Sequence, residues 1–180
     1  AFKKISNEDS NLSTVVQTLE PDNSSLNWVA LHIKSWIELQ EIEPNCKKIT
    51  LILANYPVKN GRLANGVGLD TPESIIEILN WLKETGHDLG SKELPDNGNM
   101  LMKTILSKRT NDPESNDKPP LCYLSLKDYC KWWNELSEKS KEPIVKRWGE
   151  PEKSVDLEKD GFAIHGIEYG NIRILIQPSR

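Results

Sequence analysis

The sequence is poor in the features that assign a chemistry at sight. Only three cysteines occur, Cys46, Cys122 and Cys130, with no C-x-x-C spacing. So sparse and odd a count suits a reducing compartment, and a Cys122–Cys130 disulfide is not expected. No apolar run approaches ~18 residues, so no membrane-spanning helix is predicted. The opening Phe2-Lys3-Lys4-Ile5 passes into polar residues, unlike a secretory leader. Twenty-three Lys and Arg stand against 27 Asp and Glu, a formal net charge of −4. The basic residues are scattered, which argues against a nucleic-acid patch. No G-x-x-x-x-G-K-[ST] occurs, and Gly66-x-Gly68 lacks a third glycine at dinucleotide spacing, so no nucleotide site is predicted. His32, His87 and His165 lie far apart, and none has a His or Cys at i+2 to i+4. No preformed metal site is predicted. The expectation is a cytoplasmic chain that neither binds nucleic acid nor spans a membrane.

The chain has 180 residues, 37% of them apolar and 28% charged. That suits one globular domain with an appended arm. Residues 1–23 are polar and mixed, and partial order is expected there. Leu26, Val29, Ala30, Ile33, Trp36 and Ile37 recur at helical spacing, with Ser24 or Ser25 as cap and Pro44-Asn45 as stop. Residues 48–54 form a mostly apolar run that suits a parallel strand buried on both faces. Thr71 as N-cap and Pro72 at the first position open a helix with the stripe Ile75, Ile76, Ile78, Leu79 and Leu82, closed by Gly86. A short strand is expected near 88–93. A helix is expected over 97–107, with Met100, Leu101, Ile105 and Leu106 inward. Residues 109–120, RTNDPESNDKPP, read as a surface loop. Ser125 caps a helix through Leu136, with Leu126, Tyr129, Cys130, Trp133 and Leu136 buried. One of the adjacent Trp132 and Trp133 should face the core. A short helix opens near Pro143, packs Trp148 and stops at Gly149. Residues 162–167 and 171–177 read as a hairpin about Glu168-Tyr169-Gly170. The predicted fold is α/β: a three-layer domain over 46–180 with a mixed, partly parallel sheet and helices on both faces, and a polar lead and helical arm over 1–45.

The loop between the first strand and its helix carries most of the functional signal. Strand-to-helix loops usually take ~2–6 residues, and this one runs from Asn55 to Thr71. Such a loop lies at the carboxyl edge of the sheet, where α/β proteins bind ligands. Gly61, Gly66 and Gly68 would allow close backbone approach, and the helix beginning near Pro72 offers a positive dipole end. Asn55, Asn60 and Asn65 add donors and acceptors, Lys59 and Arg62 can pair with carboxylates, and Tyr56 can stack. The plainer reading of the same residues is a set of turns and Asx bonds. Asp70 and Glu73 are local carboxylates, with a simpler role at a helix N-terminus. Gln177 ends a strand that can face the same cleft. His165 is the one histidine placed near a site, and a lone strand histidine is more often structural.

The same stretch is similar to a family signature. Residues 54–72, ANYPVKNGRLANGVGLDTP, resemble the "ANYP-x-K-x-GR-x-x-NGVG-x-DTP" segment of large subunits in the cobaltochelatase/magnesium chelatase H-subunit family. Residues 94–102, LPDNGNMLM, are similar to its "LP-x-DGDALM", with Asn at two positions where Asp is usual. Tyr129 through Arg147-Trp148-Gly149-Glu150-Pro151 follows in order. So do Asp160-Gly161-Phe162 and residues 170–178, GNIRILIQP. The resemblance covers about residues 24–180. Magnesium-side relatives carry a loop nearer "YPPGDGNVGTAAYL", so the loop here favours the cobalt branch.

The resemblance implies an internal segment of a much longer, tetrapyrrole-binding subunit. Such a subunit inserts Co2+ into hydrogenobyrinic acid a,c-diamide during cobalamin synthesis. ATP with Mg2+ is used by AAA+ partner subunits and is not bound here. The implied cleft residues are Asn55, Tyr56, Lys59, Asn60, Gly61, Arg62, Asn65, Gly66, Gly68, Asp70 and Gln177, with the catalytic residues unassigned. The alternatives are the large subunit of a magnesium chelatase acting on protoporphyrin IX with Mg2+, a docking module that contacts partner subunits, and a generic anion-binding domain.

Overall fold

The structure is a computed structural model that describes residues 2–9, 14–55 and 60–178. The chain divides into two compact units, Ala1–Glu43 and Pro44–Arg180.

In the first unit, strands β1 (Phe2–Asp9) and β2 (Thr14–Pro21) pair antiparallel from Phe2↔Pro21 to Asp9↔Thr14. No strand was expected in the polar lead; residues 2–9 and 14–21 form this pair, which backbone pairing supports despite the weak apolar pattern. Helix α1 (Asn23–Glu41) follows. Its N-cap is Asp22, not Ser24 or Ser25. Those two serine hydroxyls donate to the Asp22 carboxylate, and their bonds hold it below the ordinary carboxylate range. No residue of α1 is buried, and Trp28 and Trp36 stand well exposed on either side of His32.

Among the described residues the second unit holds two three-stranded sheets. The first has the order β3 (Ile49–Leu53), β8 (Ile172–Ile176), β7 (Gly166–Tyr169). β3 runs parallel to β8, from Ile49↔Ile172 to Leu53↔Ile176, and β7 runs antiparallel to β8. The mixed sheet expected from the sequence is present. β3 was expected to be buried on both faces, but its burial alternates and Ile52 is 65% exposed. An edge strand needs only one covered face.

Helices α2 (Thr71–Glu84) and α3 (Gly98–Leu106) supply much of the core on this sheet. Ile75, Ile76 and Leu79 of α2 and Leu101 and Ile105 of α3 join Leu53, Ile167, Tyr169, Ile172, Ile174 and Ile176. Each fully buried aliphatic contributes ~1.5–3 kcal/mol. Met100 was expected inward but is exposed, and Met102 packs on the core in its place. No strand forms at 88–93. Leu89 is buried there without a ladder partner.

The second sheet is antiparallel, in the order β4 (Cys122–Ser125), β6 (Gly161–Ile164), β5 (Leu157–Glu158). Residues 162–167 are therefore not one hairpin arm. The chain breaks at His165, and β6 and β7 belong to different sheets. The hairpin itself is β7–β8. Helix α4 (Leu126–Glu135) is capped by Ser125, whose hydroxyl accepts from Asp128 N–H at 3.1 Å. Of the five residues expected to be buried, only Trp133 is. Trp132 is exposed, as the adjacent pair required. Helix α5 (Glu138–Trp148) opens five residues before Pro143, because Ser137 caps it by accepting from Ser140 N–H. Trp148 is not packed as expected; it is 65% exposed under the Arg147 guanidinium. Gly149 ends the helix at φ +82°. All three cysteines are free. Among the described residues no helix is long and apolar enough to cross a membrane.

Candidate functional site

Parallel pairing of β3 with β8 brings their carboxyl ends to one edge. There the Leu53 carbonyl accepts from Gln177 N–H at 2.9 Å, and the Ala54 carbonyl accepts from Ala64 N–H at 2.9 Å. The chain leaves β3, turns through 60–62 and comes back beside its own exit, so that Asn55 and Leu63 form an antiparallel bridge. Leu63 and Ala64 are buried anchors of the returning loop. Ala64 holds φ +59°, a left-handed conformation disfavoured for alanine by ~1–2 kcal/mol. A buried methyl and a backbone hydrogen bond offset that strain.

Beyond Ala64 the loop is a run of turns. Gly66 bridges Leu69, and Thr71 N–H donates to the Leu69 carbonyl at 3.0 Å. A side chain at Gly66 would meet Thr71 Oγ1 at 2.8 Å, Gly68 sits at φ +74°, and Gly61 faces open space. Arg62 and Asn65 are exposed. The N-cap of α2 is Asp70 and not Thr71; its carboxylate accepts from Glu73 N–H at 3.1 Å. Pro72 then falls in the first turn, where its missing N–H costs nothing. Glu73 reaches further, and Oε2 accepts from Gly98 N–H at 2.7 Å, joining the starts of α2 and α3. Tyr56 and Lys59 lie outside the described residues.

The segment 109–115, expected to be a surface loop, is the organising element of this edge. Thr110 is 1% exposed and Ser115 2%. Thr110 Oγ1 donates to Asn60 Oδ1 at 2.8 Å and accepts from Asp112 N–H at 3.1 Å. Ser115 Oγ donates to the Asp112 carbonyl at 2.7 Å and accepts from Thr110 N–H at 2.9 Å. Asn111 Nδ2 donates to the Gln177 carbonyl at 2.7 Å, while its Oδ1 lies 3.0 Å from His165 Nδ1. One short run therefore holds the loop through Asn60, the end of β8 through Gln177, and the junction between the two sheets through His165.

The adjacent Arg109 makes a two-pronged ion pair with Glu158 at 2.8 and 2.6 Å. The guanidinium holds the Glu158 carboxyl below the usual range, and Glu158 raises Arg109 in turn. Burial, then the Arg109 charge, pushes His165 down, against a smaller opposing pull from Glu158. Three buried polar atoms have no hydrogen-bond partner among the described residues: Asn55 Oδ1, Arg109 Nε and His165 Nε2. Native interiors leave few such atoms unpaired, and each calls for an explanation.

Of the residues singled out in the sequence, Asn55, Asn60, Asp70, Gln177 and the loop glycines belong to this framework by their bonds or turns. Arg109, Thr110, Asn111, Ser115 and Glu158 were missed. Asp112-Pro113 was the available clue: a capped turn in which the Asp112 side chain accepts from Glu114 N–H and so folds the run inward. No cluster of three His, Cys, Asp or Glu able to hold a metal occurs among the described residues.

The chain is 35% identical over 161 residues to the aerobic cobaltochelatase subunit CobN of Pseudomonas aeruginosa, covering 88% of this chain and 13% of that protein. It is 28% identical to the magnesium-chelatase H subunit of Chlorobaculum parvum, over 89% of this chain and 12% of that one. The solved catalytic subunit of cobaltochelatase from Mycobacterium tuberculosis has the same fold, at a TM-score of 0.72 and 23% identity over 98% of this chain and 14% of that one. The chain thus spans about an eighth of the relatives it matches. The CobN/Magnesium Chelatase family model matches residues 1–180, and this chain belongs to that family.

Proposed function

We propose that this chain forms part of the tetrapyrrole cleft of a cobaltochelatase large subunit. The subunit would act in the cytoplasm and insert Co2+ into hydrogenobyrinic acid a,c-diamide on the way to cobalamin. The observation that carries the reading is the edge where β3 and β8 end. A long glycine- and asparagine-rich loop is gathered there, with the exposed Arg62 and Asn65 along it. A macrocycle rimmed with carboxylates and amides suits such a rim. Guanidinium can bind a carboxylate through two parallel hydrogen bonds, and an asparagine amide can both donate and accept. ATP with Mg2+ would be consumed by AAA+ partner subunits.

The loop sequence supports cobalt, and so does the greater identity to the relative named for cobalt than to the one named for magnesium. The magnesium reading, with protoporphyrin IX as substrate, is therefore second. A docking role is a further reading, favoured by the exposure of Trp28, Trp36, Trp81, Trp132 and Trp148.

The test is tryptophan-fluorescence quenching of the full-length subunit by the a,c-diamide corrinoid and by protoporphyrin IX, in wild type and in Arg62→Ala/Asn65→Ala. Saturable quenching selective for the corrinoid and weakened by the double change supports the cleft. Selectivity for protoporphyrin IX would favour the magnesium reading. Unchanged binding with lost partner-driven turnover would favour docking.

A further inference from the structure

We propose that β3 is an internal strand of the intact subunit, its open edge paired by a parallel strand from the part of the same polypeptide that lies outside these 180 residues. A mismatch between sequence and position points to it. Residues 49–53, Ile-Thr-Leu-Ile-Leu, hold four aliphatics and a threonine, with no charge, proline or glycine. Near-continuous apolar runs of this kind belong to parallel strands covered on both faces. Yet β3 stands at the end of the order β3-β8-β7, and among the described residues it pairs with β8 alone. Ile52 is left 65% exposed, and Ile49 and Leu51 are only partly buried on the core face.

The backbone shows which groups are open. Ile49 N–H donates to the Asn171 carbonyl at 3.0 Å, and the Leu53 carbonyl accepts from Gln177 N–H at 2.9 Å. Alternate residues of a parallel strand turn their N–H and C=O to opposite sides. Ile49, Leu51 and Leu53 therefore face β8, while Thr50, Ile52 and Ala54 face away from it. The Ala54 carbonyl is taken by Ala64 N–H, and Asn55 bridges Leu63. Thr50 and Ile52 keep two N–H and two C=O groups without a backbone partner among the described residues.

Sheets normally blunt such an edge with charge, proline, a bulge or a covering segment. The opposite edge has a charge of this kind: on β7 the Glu168 carbonyl accepts from Lys92 Nζ at 3.3 Å. Within β3 there is none. The chain spans about an eighth of its relatives, so a subunit of that length has ample further polypeptide to supply the strand. Running parallel to β3, the added strand would end against Leu63 and Ala64, at the carboxyl edge where the loop and Gln177 gather. The loop that follows it would then complete that rim. The pairing itself stands whether or not the rim binds a tetrapyrrole.

Hydrogen exchange of the full-length subunit, resolved to single amides by mass spectrometry, reads the edge directly. The Thr50 and Ile52 amides are expected to exchange about a hundredfold or more slower than open-edge amides, as Leu51 and Leu53 do. The protection should be the same at high and low protein concentration and without partner subunits. Thr50→Pro is compared with Thr50→Val in the same subunit. Proline is tolerated on an edge whose N–H meets water but not on an internal strand. The proline variant should therefore lose several degrees of Tm that the valine variant retains. Free exchange at Thr50 and Ile52 beside protected Leu51 and Leu53 overturns the proposal, and so does an equal Tm in the two variants. Protection that vanishes on dilution would give the edge to a second copy, and protection that needs the partner subunits would give it to them; either result overturns it too.

Discussion

Replacing Thr110 with valine tests whether the buried 109–115 run holds the loop. The two side chains are nearly the same shape, so no cavity forms and the change isolates the hydroxyl. That hydroxyl has one hydrogen, which goes to Asn60 Oδ1, while its lone pair receives Asp112 N–H. The 3.1 Å contact with Ser115 Oγ adds little, since Ser115 spends its own hydrogen on the Asp112 carbonyl. Two bonds are therefore lost. At about 1 kcal/mol net each, plus the penalty for a stranded N–H and amide oxygen, Thr110→Val should destabilise by about 2–4 kcal/mol. For a unit of this size that lowers Tm by roughly 5–15 °C, read by circular dichroism. A loss below about 0.5 kcal/mol, as at an exposed surface position, would refute the argument. The variant should also weaken corrinoid binding in the full-length subunit, because Asn60 would lose its tether.

Other outcomes follow from single contacts. Asp70→Ala removes the N-cap of α2 and should cost ~1 kcal/mol in a chemical denaturation curve, while Asp70→Asn should cost far less. A methyl at Gly98 would sit 2.8 Å from both Glu73 N and Pro72 Cβ. Gly98→Ala should therefore destabilise by ~1–3 kcal/mol through overpacking of α2 against α3. Glu158→Gln leaves a mostly buried Arg109 without its counter-charge, and should cost about 1–3 kcal/mol once the partial exposure of Glu158 is allowed for. Acid should weaken the fold in two steps. His165 and Glu158 are both depressed when folded, so each contributes stability above its unfolded value and loses it as pH falls towards its folded one. The first loss begins below about pH 6.5 and the second below about 4.3, and Glu158→Gln should shrink the second in Tm measured against pH, leaving the part owed to the likewise depressed Asp22 and Asp128.

The sequence spoke clearly wherever one local rule dominated. The apolar stripe Ile75–Leu82 and the Thr71-Pro72 start placed α2 to within a residue, although the cap is Asp70, and the apolar run 48–54 contains β3. It was silent where long-range pairing decides. Residues 122–125 carry no strand signal of their own and become β4 only beside β6. His165 looks like the middle of a strand, yet it marks the passage between sheets. The strands β1 and β2 mix polar and apolar residues without a clear alternation, and it is their mutual backbone pairing that identifies them. The candidate site was half legible for the same reason. The loop announced itself by its length and its resemblance, but Thr110, Asn111 and Ser115 are buried through partners some 50–66 residues away, and their composition reads as solvent-facing.

The strand order β3-β8-β7 has a further consequence, for assembly. The central strand is the last of the three to be synthesised, and its parallel partner lies roughly 120 residues earlier, so the sheet has high contact order and should form slowly. Until β8 arrives, β3 has no neighbour, β7 has no hairpin arm, and the Ile-Thr-Leu-Ile-Leu segment is open to association with other chains. The Gln177 and His165 anchors form only with that closing strand. A nascent chain therefore acquires the loop sequence early but the site last, in the same event that completes the core.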